Sequence, residues 1–371
     1  LKTDTLVSPV STQVAPVIIT ALTLKPKRIV LLSTPKVEKF TRQIERVLGY
    51  KGLKVEVREI EPYNSSSIER AVSDLKGALY LLNCGTKYTA INLFKLFPEN
   101  SFYYLPDGKI VKFDGTLVAQ APENLLSVEL HAAAYGFKII GQRDNLGEVE
   151  SRARLTFKIA KNRTYQRILS RLYHEAKITF FPPELSSLFK KVKGGYEPVD
   201  REYIGGKWLE EFVFLSLKNK GFHDLRLGVK VEWFDTGVQN EIDVVGVKNN
   251  RFYLFSCKTE KNIANLTEHL YEIEELTERI GGDFGKGHLV LLSQFISKEP
   301  PSREDFPNAP KGGYYQCRKE WEKYRRTEEG RKYSEEEAKY RRYRALKKRA
   351  ELLGIKILTE RDFLEGGLSV W

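Results

Sequence analysis

Residues 240–258 read NEIDVVGVKNNRFYLFSCK, and this stretch decides the fold. It holds two apolar runs, Glu241 to Val247 and Phe252 to Cys257, each of strand length and rich in the branched and aromatic residues that suit a pleated sheet. Side chains alternate along a strand, so Glu241 and Asp243 share one face, Ser256 and Lys258 share one face, and Ile242 and Cys257 point the other way. Three or four polar groups would then converge at one sheet edge. A carboxylate there can hold Mg²⁺ or Mn²⁺, which polarises a phosphate and lowers the pKa of a bound water, while a lysine stabilises the nucleophile or the developing charge. Cys257 is expected to pack in the core.

Working outward, a helix is expected from Lys207 to Leu217 and a strand from Leu227 to Phe234. After Lys258 comes a long helix, Ala264 to Ile280, with Leu266, Leu270, Ile273, Leu276 and Ile280 on one side, and then a strand, His288 to Ser293. Helix, three strands, helix, strand is the order of a nuclease core. The chain closes with a helix from Ala345 to Leu353, Gly354, and a strand from Ile355 to Leu358.

Through Gly206-x-Trp208-Leu209-Glu210, Asn240-Glu241-x-Asp243 and Cys257-Lys258-Thr259, residues 203 to 295 resemble the PD-(D/E)XK nuclease superfamily. The resemblance implies that Glu210 and Asp243 bind a metal ion and that Lys258 is the catalytic lysine. Trp208 and Leu209 are read as core anchors of the leading helix. Ser256 stands where that family usually has Glu or Gln, which removes one ligand and leaves Glu241 or Glu211 as substitutes. The helix segment Leu270-Tyr271-x-Ile273-Glu274-x-Leu276, the glycines Gly281, Gly282 and Gly285, and His288-Leu289-Val290 resemble the CRISPR ancillary nucleases that carry an appended CARF domain. By themselves the glycines mean only a sharp turn from helix to strand.

The first half alternates strands (Thr5 to Ser8, Arg28 to Ser33, Lys54 to Ile60, Ala78 to Asn83) with helices (Val37 to Leu48, ending at Gly49, and Ile68 to Leu75). Such alternation predicts a doubly wound parallel sheet, Rossmann-like in kind, whose ligands sit beyond the carboxyl ends of its strands. A hairpin follows, Phe102 to Tyr104 and Ile110 to Phe113 around Pro106-Asp107-Gly108, and then helices at Val128 to Tyr135 and Thr164 to Glu175. Glycines and prolines crowd Lys190 to Gly206, so the expected division is a sensing domain over 1–150, a helical linker over 151–202 and a nuclease domain over 203–371.

Two polar loops stand at strand ends in the first half: Ser11, Thr12 and Gln13 before Pro16, and Asn83, Gly85, Thr86 and Lys87. A glycine at a strand end lets backbone N–H groups approach phosphates, and hydroxyl and ammonium groups add donors. These loops resemble those of the CARF fold, S-x-Q-x-x-P and N-x-T-G-G-T-K, the second being shorter here by about two residues. The chain contains no methionine, unusual at this length, so gaps between motif residues are compared with that tolerance. The resemblance implies a homodimer that clasps a cyclic oligoadenylate, most often the tetra-adenylate. A cyclic tetramer presents the same face to each protomer, as a two-fold interface requires. Its binding would bias the nuclease pair by differential affinity for two states.

Composition bounds the rest. At 371 residues the chain suits two domains, and 41% hydrophobic with 30% charged residues suits a soluble protein. No apolar run reaches the roughly 18 residues that span a bilayer, and no leader pattern opens the sequence, so a cytoplasmic protein without membrane contact is expected. Cys84, Cys257 and Cys317 form no C-x-x-C pair, which argues against a disulfide framework or a zinc knuckle. A net charge of +12 favours a polyanionic partner. Two thirds of it lies in residues 311–349, where 15 Lys or Arg face 7 Asp or Glu among six tyrosines and Trp321. This marks a basic, tyrosine-rich insertion at about 303–345, helical by the spacing of Tyr333, Tyr340 and Tyr343, that could grip phosphates and stack unpaired bases. Equally it could be a solvated helix with internal ion pairs.

The expected function is an endonuclease of type III CRISPR antiviral defence, activated by a cyclic oligoadenylate and dependent on Mn²⁺ or Mg²⁺, cutting DNA, RNA or both. The alternative is a ligand-responsive nucleic-acid-binding regulator whose nuclease fold is inactive because Ser256 replaces an acid. A nuclease needing no ligand is a third possibility, disfavoured by the first domain.

Overall fold

The computed structural model describes residues 4–175, 178–259 and 263–366. The chain divides into two compact units that interleave along the sequence instead of following one another. One gathers residues 1–144, 217–254 and 275–286, and the other 145–216, 255–274 and 287–371.

The first unit is built on a sheet of seven strands: β1 (Thr5–Pro9), β2 (Arg28–Ser33), β3 (Lys54–Glu59), β4 (Leu79–Leu81), β5 (Ser101–Tyr104), β6 (Lys109–Lys112) and β7 (Leu117–Gln120). Their order is β3-β2-β1-β4-β5-β6-β7. The first five are parallel, with Leu6 opposite Ile29 and Leu79, and β6 and β7 add an antiparallel hairpin. Helices interposed between strands cover both faces, so β1, β2 and β4 read as continuous apolar runs and are buried almost throughout. The order reverses between β1 and β4, the switch point where a doubly wound sheet opens a crevice for ligands.

Three local boundaries differ from the sequence expectation, each for a visible reason. The helix expected to stop at Gly49 runs Glu38–Tyr50 and is closed by Gly52, whose φ of 78° lets its N–H reach Gly49 O while Leu53 N reaches Leu48 O. The next helix starts early, Ser65–Val72, because the Asn64 side chain caps it by accepting from Ser67 N at 3.2 Å. β4 ends at Leu81 because Asn83 replaces the backbone ladder with its amide: Nδ2 donates to Tyr104 O at 2.8 Å and Oδ1 accepts from Tyr104 N at 2.7 Å.

The later strands are β8 (Phe137–Gly141), β9 (Phe189–Val192), β10 (Gly195–Pro198), β11 (Asp224–Trp233), β12 (Gln239–Lys248), β13 (Arg251–Lys258), β14 (Gly285–Leu291) and β15 (Lys356–Thr359). β9 and β10 form a small hairpin inside the stretch read as a turn-rich boundary. The others form a six-stranded sheet in the order β15-β14-β13-β12-β11-β8. β11 is antiparallel to both β12 and β8, so a strand from the segment expected to complete the sensing domain extends this second sheet. β14 and β15 are parallel. Asn249 and Asn250 join β12 to β13, both with positive φ as a two-residue hairpin turn demands. The short terminal helix expected from Ala345 is the end of one of 25 residues, Glu328–Leu352, preceded by a seven-residue helix at Arg318–Tyr324. Among the described residues no helix is long and apolar enough to cross a membrane.

Candidate functional site

On β12 the alternation read from the sequence holds at the end that carries the carboxylates. Ile242 and Val244 are buried, Asp243 between them is half-buried, and Glu241 is exposed. Glu241 sits across from Lys230, with 3.8 Å between Oε2 and Nζ. On β13 the same pattern places Ser256 and Lys258 half-buried on either side of buried Cys257.

In the second unit a cavity of about 1060 Å³ is lined by Glu210, Lys258, Thr259, Lys207 and the backbone of Gly205 and Gly206. Glu210 comes from the first turn of the Trp208–Leu217 helix, whose entry is a wide turn at Tyr203–Lys207. Trp208 (2% exposed) and Leu209 (0%) anchor that helix in the core, as expected. Gly205 is required by close approach: a Cβ there would lie 2.5 Å from the Tyr173 ring. Thr259 Oγ1 donates to Gly205 O at 3.3 Å and ties the end of β13 to this turn.

Glu211 is fully buried and grips Arg152, Nε to Oε2 at 2.8 Å, with a second bond from Nη2 to Oε1. Arg152 also lies 4.3 Å over the Tyr203 ring. Burial lowers its pKa, but Glu211 and Glu148 outweigh that and the net shift is upward. Glu211 is therefore a structural anion of the helix, not the substitute metal ligand that its position in the sequence allows.

Sequence reasoning missed one wall of this cavity. The helix Arg163–His174, assigned to the linker, lines the cavity with Arg167, Ser170, Arg171, Tyr173 and His174. The signal was present as arginines four residues apart at 163, 167 and 171, which fall on one helix face.

Among the described residues no three His, Cys, Asp or Glu side chains cluster as a closed metal cage would need. The available donors are hard carboxylate oxygens. Such a set suits Mg²⁺ or Mn²⁺, which take one or two carboxylates and complete their shell with water and substrate phosphate.

Both polar loops of the first unit lie at its sheet's switch point. Ser11 Oγ accepts from Gln13 N at 3.1 Å, and Gln13 Oε1 accepts from Asp283 N at 3.1 Å. Cys84 Sγ donates to Gln13 O at 3.1 Å, linking the two loops, and burial pushes its thiol up to about 12. Gly85 has φ 83°. The side chains of Asn83 and Thr86 serve the scaffold: Asn83 holds β5, and Thr86 caps the Lys87–Leu96 helix by accepting from Thr89 N at 3.1 Å. Lys87 is exposed at the head of that helix. Thr12 and Gln13 border a cavity of about 680 Å³ with Tyr135, Trp233 and Arg279, and Asn83 to Lys87 border another of about 380 Å³.

The basic insertion corrects one expectation. Tyr333 packs within 5.1 to 6.0 Å of Phe306, Trp321 and Tyr324, and Tyr343 is buried. Phe306, Trp321, Tyr324 and Tyr333 form a small aromatic core that joins the helix pair, so these four rings are taken up in packing and do not serve as a platform for stacking bases. Tyr315, 96% exposed, lies outside it.

Residues 199–297 match the family model described as Card1-like, endonuclease domain. No curated protein matches the sequence. Among solved structures, Can2 from Sulfobacillus thermosulfidooxidans, solved with cyclic tetra-adenylate, is similar at TM-score 0.73 and 21% identity over 100% of this chain and 97% of that one. Protein VC1899 from Vibrio cholerae is similar at TM-score 0.67 and 16% identity over 99% and 97%. A type III CRISPR defence DNA nuclease activated by cyclic oligoadenylate is similar at TM-score 0.53 and 19% identity over 78% and 45%. The expected α/β fold, with a doubly wound sheet in the first half and a second, mixed sheet after it, is borne out.

Proposed function

We propose that this chain is an endonuclease of type III CRISPR defence, switched on by a cyclic oligoadenylate and dependent on Mg²⁺ or Mn²⁺. The observation that carries the proposal is that Glu210 and Lys258, both in the segment that matches the Card1-like endonuclease family, line one cavity. The similar structures support the activator: one was solved with cyclic tetra-adenylate and another is a nuclease activated by a cyclic oligoadenylate.

By the family resemblance, Glu210, which lines the cavity with Lys258, and Asp243 carry the carboxylate roles. A divalent ion held there would polarise the scissile phosphate and make bound water a stronger nucleophile. Lys258 contributes a compact positive charge beside the attacked phosphorus and stabilises the charge that builds on its oxygens. Glu241, exposed and near Lys230, is a secondary acidic group. In the first unit, Ser11, Thr12, Gln13, Gly85, Thr86 and Lys87 border the crevice for the activator, Asn83 shaping it, and a homodimer would present two such crevices to one ring.

The full-length protein, incubated with labelled DNA and RNA, should cut only with cyclic tetra-adenylate and Mn²⁺ or Mg²⁺ both present. Asp243→Ala and Lys258→Ala should each lower the rate by at least about 100-fold. Full activity in either variant would remove the assignment. A second reading is favoured by one residue: Ser256 in place of an acid suits a ligand-responsive, nucleic-acid-binding regulator with a silent nuclease fold. Calorimetry separates the two, because such a regulator would not bind Mn²⁺ through Asp243.

A further inference from the structure

The Arg163–His174 helix lies outside the segment that matches the endonuclease family, yet it forms a wall of the cavity holding Glu210 and Lys258. Its buried side is Gln166, Leu169 and Leu172. On the exposed side Arg163, Arg167 and Arg171 follow one another at four-residue spacing, a rise of about 6 Å per step along one face. Arg167 and Arg171 border the large cavity, and Arg163 borders a neighbouring one of about 380 Å³ with Arg361, where Lys339 and Lys298 are paired to Glu336 and Asp362. The row of guanidinium groups thus runs from one cavity into the other.

The direct hydrogen-bond partners of two of the three arginines are neutral. Arg167 Nε donates to Gln294 Oε1 at 3.2 Å and Arg163 Nη2 to Ser293 Oγ at 3.4 Å, both neutral partners that aim the side chains without cancelling their charge. Arg171 meets Glu175 at 3.2 Å, a surface pair weak enough to exchange for a better anion. Burial and the neighbouring cations Arg361 and Arg167 depress the pKa of Arg163 against the opposing effect of Glu360 and Glu336. Cations held close together and pointed at a groove call for an anion with charges at similar intervals, and guanidinium groups bind phosphate in two-pronged fashion.

We propose that Arg163, Arg167 and Arg171 form a track that holds the phosphate backbone of a nucleic-acid strand and guides it into the cavity of Glu210 and Lys258. The inference rests on the nuclease reading and extends it to residues outside the endonuclease segment. The track recognises backbone and not bases, so it adds affinity without sequence preference and acts on substrate positioning, not on the bond-breaking step.

The test uses the full-length protein with cyclic tetra-adenylate, Mn²⁺ for cutting and Ca²⁺ for binding, and fluorescein-labelled single-stranded and duplex DNA and RNA. For the strand that the wild type cuts, Arg163→Ala/Arg167→Ala/Arg171→Ala should weaken binding at least tenfold at 0.1 M salt. The slope of log affinity against log salt should shrink by about 2 to 3, because each lost phosphate contact removes about 0.7 to 0.9. KM should rise with kcat within about threefold. The Arg→Lys triple variant should restore the salt slope, which a merely structural role would not require. If the alanine triple variant does not fold, Arg171→Ala alone should still reduce the slope by about one contact. An unchanged salt slope and KM in a variant of a wild type that binds and cuts would overturn the track alone. A wild type that neither binds nor cuts any of these strands would overturn the nuclease reading and the track with it.

Discussion

Arg152 closes both of its prongs on the carboxylate of Glu211, the residue directly after Glu210 on the same helix turn. Successive helix residues point about 100° apart, so anchoring Glu211 inward fixes the rotation that turns Glu210 toward the cavity. The pair is buried on the Glu211 side and supported by Glu148 and the Tyr203 ring.

Removing Arg152 leaves a buried carboxylate without its cation, a loss that costs about 3–5 kcal/mol. Arg152→Ala should therefore lower the urea midpoint strongly, while Glu211→Gln in the same background should recover part of the loss by removing the stranded charge. If Arg152→Ala unfolds at the wild-type denaturant concentration, the buried pair does not hold this helix.

The contrast between Glu210 and Glu211 also shows where sequence reasoning stops. Strand patterning located β12 and β13 to within two residues, because alternation and branched residues are local signals. The anchors Trp208 and Leu209 were legible for the same reason. What separates two adjacent glutamates is a partner 59 positions away, and no local pattern announces it. The arginine helix was passed over as linker because its chemistry is apparent only when its face is seen against Lys258. The aromatic residues of the insertion misled in the opposite direction: their helical spacing was read as a surface, whereas Tyr333 is consumed in packing.

His131 should make the fold acid-sensitive. It is fully buried, its Nε2 is 3.1 Å from Asn250 O, its Nδ1 has no partner, and burial holds its pKa down to about 4. The unfolded chain takes up this proton near pH 6.5 and the folded one only near 4, so the stabilisation is complete above 6.5 and is lost as pH falls towards 4. The slope approaches about 1.4 kcal/mol per pH unit inside that window. Urea titrations from pH 7 to 4 should show it in the wild type and show a shallower decline in His131→Gln. Parallel curves for the two proteins would exclude His131 as the group responsible.

Two glycine substitutions should move in opposite directions. Gly85 has φ 83° and a Cβ there would lie 2.6 Å from Pro9 Cβ, so Gly85→Ala must shift the loop that leads to Ser11, Thr12 and Gln13. The left-handed backbone alone costs about 1–2 kcal/mol, and calorimetry should show cyclic tetra-adenylate binding at least tenfold weaker. Gly49 lies within the Glu38–Tyr50 helix with open space around its Cβ position, so Gly49→Ala should raise stability by about 0.5–1 kcal/mol and leave ligand binding alone. Equal ligand affinity in Gly85→Ala and wild type would show that the two loops do not set the crevice.

Ser256 offers the sharpest test of the metal site. Its half-buried position on β13 lies two residues before Lys258, on the strand face where the resembling nucleases usually carry an acid. In the absence of metal, Ser256→Glu places a charge in a half-buried site, and the protein should be less stable than wild type in EDTA. With Mn²⁺ the same carboxylate becomes an extra oxygen ligand, and binding to the folded state alone stabilises by RT ln(1 + [L]/Kd), about 2.7 kcal/mol at a hundredfold excess over Kd. The variant should therefore gain more from Mn²⁺ than the wild type does, seen as a larger rise in Tm and tighter binding by calorimetry. A purely steric effect would lower Tm equally with and without Mn²⁺, and that equality would place Ser256 away from the ion.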